Sequence, residues 1–304
     1  MIHPLSGVFA AALTPLKIDF TPEVELIPQY LSHFENGGCH GALLLGTTGE
    51  GPSFSNTERI MIMESALEYK HSHPYFKLLV GTGTTNIDET IELTQIAFSK
   101  DYDGVVVLPP YYFRMVSDDS LFEWFRAIIE NAVPSNKYLL AYNIPIMTGI
   151  SFSLDLLERL KEKFPLRFAG IKDSSSDEQF SRELGDKFGD ELLVLTGNDR
   201  LLSTALNNNA GGCITALANL YSHLSREIWD GFQQPMNVEK TQQKLSLLRD
   251  LLERYSPYPP ILKVLMNRIV GFPLSSVKPP LRNLDEAVID QAVEQFNLLM
   301  SSSE

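Results

Sequence analysis

A formal charge of −13, from 38 acidic and 25 basic side chains in 304 residues, repels polyphosphates and anionic lipids, which disfavours nucleic acid and membrane as partners. Hydrophobic residues at 44% and charged residues at 21% are the values of a globular chain, and the length suits one large domain with a sizeable core. No run reaches the roughly 20 apolar residues of a membrane helix, and Val8–Leu13 has no basic leader that would make it a signal core, so a cytoplasmic location is expected.

Short apolar runs rich in Val, Ile, Leu and Ala recur at residues 8–12, 41–45, 77–80, 104–107, 138–141, 168–171, 192–195 and 212–215. They are continuous rather than alternating, the pattern of parallel strands covered on both faces. Helical segments lie between them: Ser55 with Glu58 reads as a capping box, and Asn86 with Glu89 follows the same logic. Strand starts about 20 to 36 residues apart suit βα units, and eight units closing on themselves predict a (β/α)8 TIM barrel over residues 1–220. A doubly wound open sheet is the competing architecture. From residue 221 the strand signals stop. Helices are expected over 221–256, 258–270 and 283–300, separated by prolines, as a C-terminal helical extension (221–304) packed on the barrel and ending in a short tail, 301–304. Cys39 and Cys213 show neither disulfide nor metal-ligand spacing and read as buried free thiols.

Reactive side chains of such a barrel sit where strands end and βα loops begin. Strand two ends in Gly46-Thr-Thr-Gly-Glu50, strand four in Pro109-Pro-Tyr-Tyr112, strand five in Tyr142-Asn-Ile-Pro145, strand six in Lys172-Asp173 and strand seven in Gly197-Asn-Asp199. Lys172 has its stem among apolar barrel side chains, and burial there should depress its pKa. A free lysine at about 10.4 is neutral less than about one part in a thousand at pH 7, whereas attack on a ketone needs the neutral amine. Read alone, Lys172 equally fits a lysine whose head reaches solvent. Tyr142 should lie beside it and could pass protons, or be a core phenol with a satisfied hydroxyl. Thr47 and Thr48, flanked by Gly46 and Gly49, offer hydroxyls and backbone N–H groups as a cradle for a carboxylate. The loop lacks the Gly-Lys-Ser/Thr of a phosphate loop, and Gly81-Thr-Gly83 lacks the third glycine of a dinucleotide fingerprint, so no nucleotide cofactor is expected. His71 and His73 have no third ligand nearby and read as exposed, so no metal is expected either. Ser174 is close enough to Lys172 to touch a substrate.

At these residues the chain resembles the N-acetylneuraminate lyase and dihydrodipicolinate synthase superfamily of class I, Schiff-base aldolases. The match runs almost end to end. Besides the strand ends its anchors are Ala12-Leu-Thr-Pro15, Thr148-Gly149 and Lys278-Pro-Pro-Leu281. The resemblance implies that Lys172 carries a Schiff base to pyruvate and Tyr142 shuttles protons. Thr48 with backbone amides would hold the pyruvate carboxylate, and Thr47 would link Tyr142 to a second tyrosine, Tyr112. In the family that tyrosine often crosses a dimer interface within a tetramer, so a homotetramer built as a dimer of dimers is implied. Ile214 matches a position whose backbone faces pyruvate, and Gly46, Gly197 and Asp199 fall in substrate-binding segments.

Dihydrodipicolinate synthases carry an arginine where this chain has Met147. Losing a guanidinium that forks onto a carboxylate sacrifices charge-assisted bonds, which disfavours condensation with aspartate semialdehyde. The 2-keto-3-deoxygluconate aldolases look more similar, through Tyr111-Tyr-Phe-Arg-Met115 and Lys172-Asp-Ser174, with Ser174 placed to meet a substrate hydroxyl. Sialic acid lyase is less favoured because Arg200 stands where that subgroup has an acidic residue. The expected reaction is reversible retro-aldol cleavage of a 2-keto-3-deoxy sugar acid to pyruvate and an aldehyde, without cofactor. The synthase, a keto-acid-binding barrel without turnover and a divalent-metal aldolase are the alternatives.

Overall fold

The computed structural model describes residues 2–234 and 236–301; residues 302–304 of the predicted tail lie outside them. Eight parallel strands close into a barrel: β1 (Gly7–Ala11), β2 (Gly41–Leu44), β3 (Lys77–Gly81), β4 (Gly104–Val107), β5 (Tyr138–Asn143), β6 (Phe168–Asp173), β7 (Leu193–Thr196) and β8 (Gly212–Thr215), with β8 pairing to β1. Each lies within two residues of its expected run. Helices between them follow the predicted caps. Ser55 and Glu58 make the reciprocal capping box of Asn56–Ser65, and Asn86 Oδ1 accepts the N–H groups of Asp88 and Glu89 at the start of Ile87–Ser99.

The strands are apolar throughout because both faces are covered. Phe9, Leu43, Leu79, Val106, Leu140 and Leu195 pack together inside the barrel. Their neighbours Val8, Ala42, Leu78, Val105, Leu139 and Val194 face the helices. Full burial of side chains of this size stabilises by about 1.5–3 kcal/mol each, which is why alternation is absent from the sequence.

β5 and β6 run two residues further than their apolar cores suggest, so Tyr142 and Lys172 lie within the strands, as register partners. The pairing is irregular between Leu139 and Leu140: Leu139 opposes Phe168 but Leu140 opposes Gly170, leaving Ala169 as the extra residue of a bulge. Phe168 and Ile171 face the helices while Ala169 faces inward, and after the bulge Lys172 shares the inner face with Tyr142. Glycine is required at the bulge, since a Cβ on Gly170 would lie 2.0 Å from the Leu193 carbonyl oxygen.

The helix after β8, Ala218–Gln233, packs on β1, where Asn219 donates to the Ala11 carbonyl and accepts the Leu13 N–H. It is the eighth helix of the barrel, so the sequence boundary at 220 falls inside it. The helical stretch expected over 221–256 comprises the end of that helix and a second one, Glu239–Glu253, at whose start Asn237 Oδ1 accepts the Glu239 N–H. Tyr258–Leu265 follows, continues as a π-helical turn to Val270, and Glu286–Ser301 closes the chain. Two buried ion pairs tie these helices to the strand-end loops: Lys263 to Glu50 at 2.5 Å, and Arg249 to Asp199 at 3.1 Å. Burial lowers the Lys263 pKa even against the attraction of Glu50.

Candidate active site

Lys172 and Tyr142 meet at the carboxyl end of the barrel. Lys172 is 3% exposed and Tyr142 4%, and the lysine Nζ stands 4.1 Å from the centre of the tyrosine ring. The phenol oxygen lies 3.2 Å from Thr47 Oγ1, either atom able to donate. Burial works to raise the phenol's pKa, but the charge of Lys172 and hydrogen bonding from Thr47, Lys172 and Ser174 outweigh it and hold Tyr142 below the ordinary tyrosine value. A phenol shifted in that direction gives up its proton more readily and can take it back.

The Gly46–Glu50 turn that carries Thr47 is tightly folded. Gly51 N–H bonds back to the Gly46 carbonyl at 3.0 Å, Thr14 Oγ1 donates to the Gly49 carbonyl at 2.8 Å, and Thr48 is buried. On the other side, Ser174 is fixed through its N–H to the Asn143 carbonyl at 2.7 Å. Gly197 leaves room for it, since a Cβ there would fall 1.9 Å from Ser174 Oγ. Ile214 is buried in the inner layer beneath. Thus Lys172, Tyr142, Thr47, Ser174 and Gly197 are brought into one site, with Thr48 on the same turn as Thr47.

Three other predicted residues lie outside this cluster, and of them Asp199 departs from its expected place. Tyr112 is 76% exposed with its ring edge-on to Phe113, so the Tyr112–Thr47 link is not made within one chain. Asp199 does not open onto the mouth: it is 0% exposed and paired with Arg249, which supplies the cation that a buried carboxylate requires. Met147 is half exposed on the short helical turn Pro145–Thr148. The side chain of Arg114 lies over that turn, where a Cβ on Gly149 would approach its Cδ to 2.7 Å.

Several residues of the site were not singled out by sequence. Asn143 donates to Asp173 Oδ1 at 2.8 Å, and Asp173 also holds the N–H and hydroxyl of Ser175, shaping the loop after Lys172. Burial pushes the Asp173 carboxyl up despite those bonds. Their adjacency to Tyr142 and Lys172 was the available signal. Arg59 is buried and lines a small recess with Thr47, Val106 and Tyr142, its Nε donating to the Phe54 carbonyl at 3.2 Å. Nothing in its spacing marked it.

Residues 4–297 match the sequence model of the dihydrodipicolinate synthetase family. A DapA-like lyase of Chloroflexus aurantiacus is 33% identical over 298 residues, 98% of each chain, and a 4-hydroxy-tetrahydrodipicolinate synthase of Oceanobacillus iheyensis is 26% identical over 98% of this chain and 97% of its own. Among solved structures, E. coli YagE in complex with pyruvate, described as a prophage protein of the dihydrodipicolinic acid synthase family, superposes with a TM-score of 0.90 at 26% identity, covering 97% of this chain and 99% of its own. The dihydrodipicolinate synthase of Agrobacterium tumefaciens gives 0.86 at 29% identity, over 96% and 99%.

Proposed function

The chain belongs to the dihydrodipicolinate synthetase family and is a carbon–carbon lyase, and from that premise we propose that it cleaves a 2-keto-3-deoxy sugar acid reversibly to pyruvate and an aldehyde through an imine on Lys172. The observation that carries the reading is the buried amine of Lys172 against the phenol of Tyr142. The neutral amine attacks the C2 ketone and the carbinolamine loses water, giving a protonated imine. A base then takes the proton of the C4 hydroxyl, the C3–C4 bond breaks, its electron pair passes into the imine as an enamine, and the aldehyde departs. Protonation at C3 and hydrolysis release pyruvate and restore the amine. Tyr142 is the group placed to carry these protons, with Thr47 and Ser174 stabilising its ionised form. The Gly46–Glu50 turn is placed to receive the carboxylate.

Met147 on the turn after β5 favours a sugar acid, because an apolar side chain there offers no fork to a second carboxylate. One observation favours the synthase instead: the Arg114 side chain lies over the same turn and could supply a guanidinium. Incubation with pyruvate and borohydride should add a reduced pyruvyl group to Lys172, read by peptide mapping. A panel of keto-deoxy acids read as pyruvate release, beside a coupled condensation assay with aspartate semialdehyde, separates the two substrates. Labelling elsewhere than Lys172 defeats both readings.

The proposal includes assembly as a homotetramer in the cytoplasm, with Tyr112 of one chain meeting Thr47 of another. It is supported by the exposure of Tyr112, Phe113 and Met115, large apolar surfaces normally covered.

Thr47→Val tests the relay through its pH dependence. In cleavage the ionised phenol is the proton acceptor, so activity rises as pH passes upward through its pKa. Removing a hydroxyl that stabilises the phenolate raises that pKa, so the limb of the pH–kcat profile should move to higher pH, with kcat at pH 7 lower by about 10-fold. A limb that stays in place would remove Tyr142 from the relay.

A further inference from the structure

Glu50 ends the turn that carries Thr47 and Thr48, and its backbone is left-handed, with φ of 56°. A residue with a side chain holds that conformation only where its surroundings enforce it. Here the enforcing groups come from more than 200 positions away: Glu50 Oε1 accepts Lys263 Nζ at 2.5 Å and Oε2 accepts the Lys278 N–H at 2.8 Å. Both side chains of the Lys263–Glu50 pair are within 1% of complete burial. Lys263 also donates to the Ser276 carbonyl at 2.6 Å, and Lys278 Nζ reaches Glu58 Oε1 at 2.5 Å, on the helix that follows the turn.

We infer that Lys263, on a helix of the C-terminal extension, is a positioning residue for the substrate-carboxylate turn, acting through Glu50. The inference rests on the proposed pyruvate chemistry and adds that the extension completes the site. A buried carboxylate deprived of the Lys263 ammonium cannot stay where it is, because the uncompensated charge must find water or another cation. The backbone of 46–50 moves with it, and displacement of a binding group by about 1 Å costs up to about 100-fold. Tyr142 and Lys172 stand on β5 and β6, so the amine itself is left in place.

The test is borohydride trapping of the full-length protein across a pyruvate series. Lys263→Met should raise the pyruvate concentration for half-maximal trapping by about 10- to 100-fold while trapping at saturation reaches the wild-type level. In Glu50→Gln/Lys263→Met no buried charge is left unpaired and the glutamine can still accept the Lys278 N–H, so half-saturation should return to within about threefold of wild type. A folded Lys263→Met, judged by its thermal midpoint, with wild-type half-saturation overturns the inference, as does a double variant no better than the single one. If Lys263→Met does not fold, Glu50→Gln decides: weakened pyruvate half-saturation supports the inference and an unchanged value overturns it. Wild-type protein that traps no pyruvate overturns the proposed function itself, and the inference with it.

Discussion

Lys172→Met will form no borohydride-stable adduct with pyruvate and will lose at least about 10⁴-fold in pyruvate release, equivalent to about 5.5 kcal/mol of barrier. In the proposed cleavage the imine is the electron sink for the breaking C3–C4 bond. Lys172 pairs in register with Tyr142 on one neighbouring strand and with Leu195 on the other. Methionine keeps the apolar stem in a site built for it, so a wild-type thermal midpoint separates lost chemistry from lost fold. Intact-mass measurement after reduction checks the adduct. Residual turnover above about 1% would mean that cleavage proceeds without the imine.

Tyr142→Phe will lower kcat by about 10²- to 10³-fold while the reduced pyruvyl adduct still accumulates on Lys172 during long incubation. The ring that faces the amine at 4.1 Å is retained, so Lys172 keeps its position; only the proton-carrying oxygen is gone. Dehydration of the carbinolamine and proton removal from the C4 hydroxyl must then use water. The limb that Thr47→Val displaces should be absent from the Tyr142→Phe profile. Equal loss of trapping and turnover would place Tyr142 in structure rather than in proton transfer.

Eight strands were legible because each is an apolar run bounded by turn residues, and their number and spacing favoured a closed barrel over the open sheet that competed with it. The lysine and tyrosine were legible as polar residues terminating those runs. What could not be read was direction and partnership. The inward aim of Lys172 depends on a register shift that no run of apolar residues announces. Asp199 looked available because its motif sits at a strand end, but Arg249, fifty residues on, occupies it. Glu50 looked like the polar end of a glycine turn, and its ammonium comes from a helix whose pattern showed only that it packs. Tyr112 was expected to meet Thr47 across a subunit interface, and in the single chain its ring is exposed beside Phe113.

The bulge opposite Leu139 and Leu140 makes the side of the wall on which the nucleophile emerges a matter of odd or even. Regular alternation at unchanged length would turn the amine outward, into the layer where Ile171 now packs, whereas dropping one residue between Phe168 and Lys172 would restore regular alternation with the amine still inward. A segment of this length thus delivers its nucleophile to the interior only while the irregularity persists, and substitution of Gly170, which permits it, acts on chemistry as well as on packing.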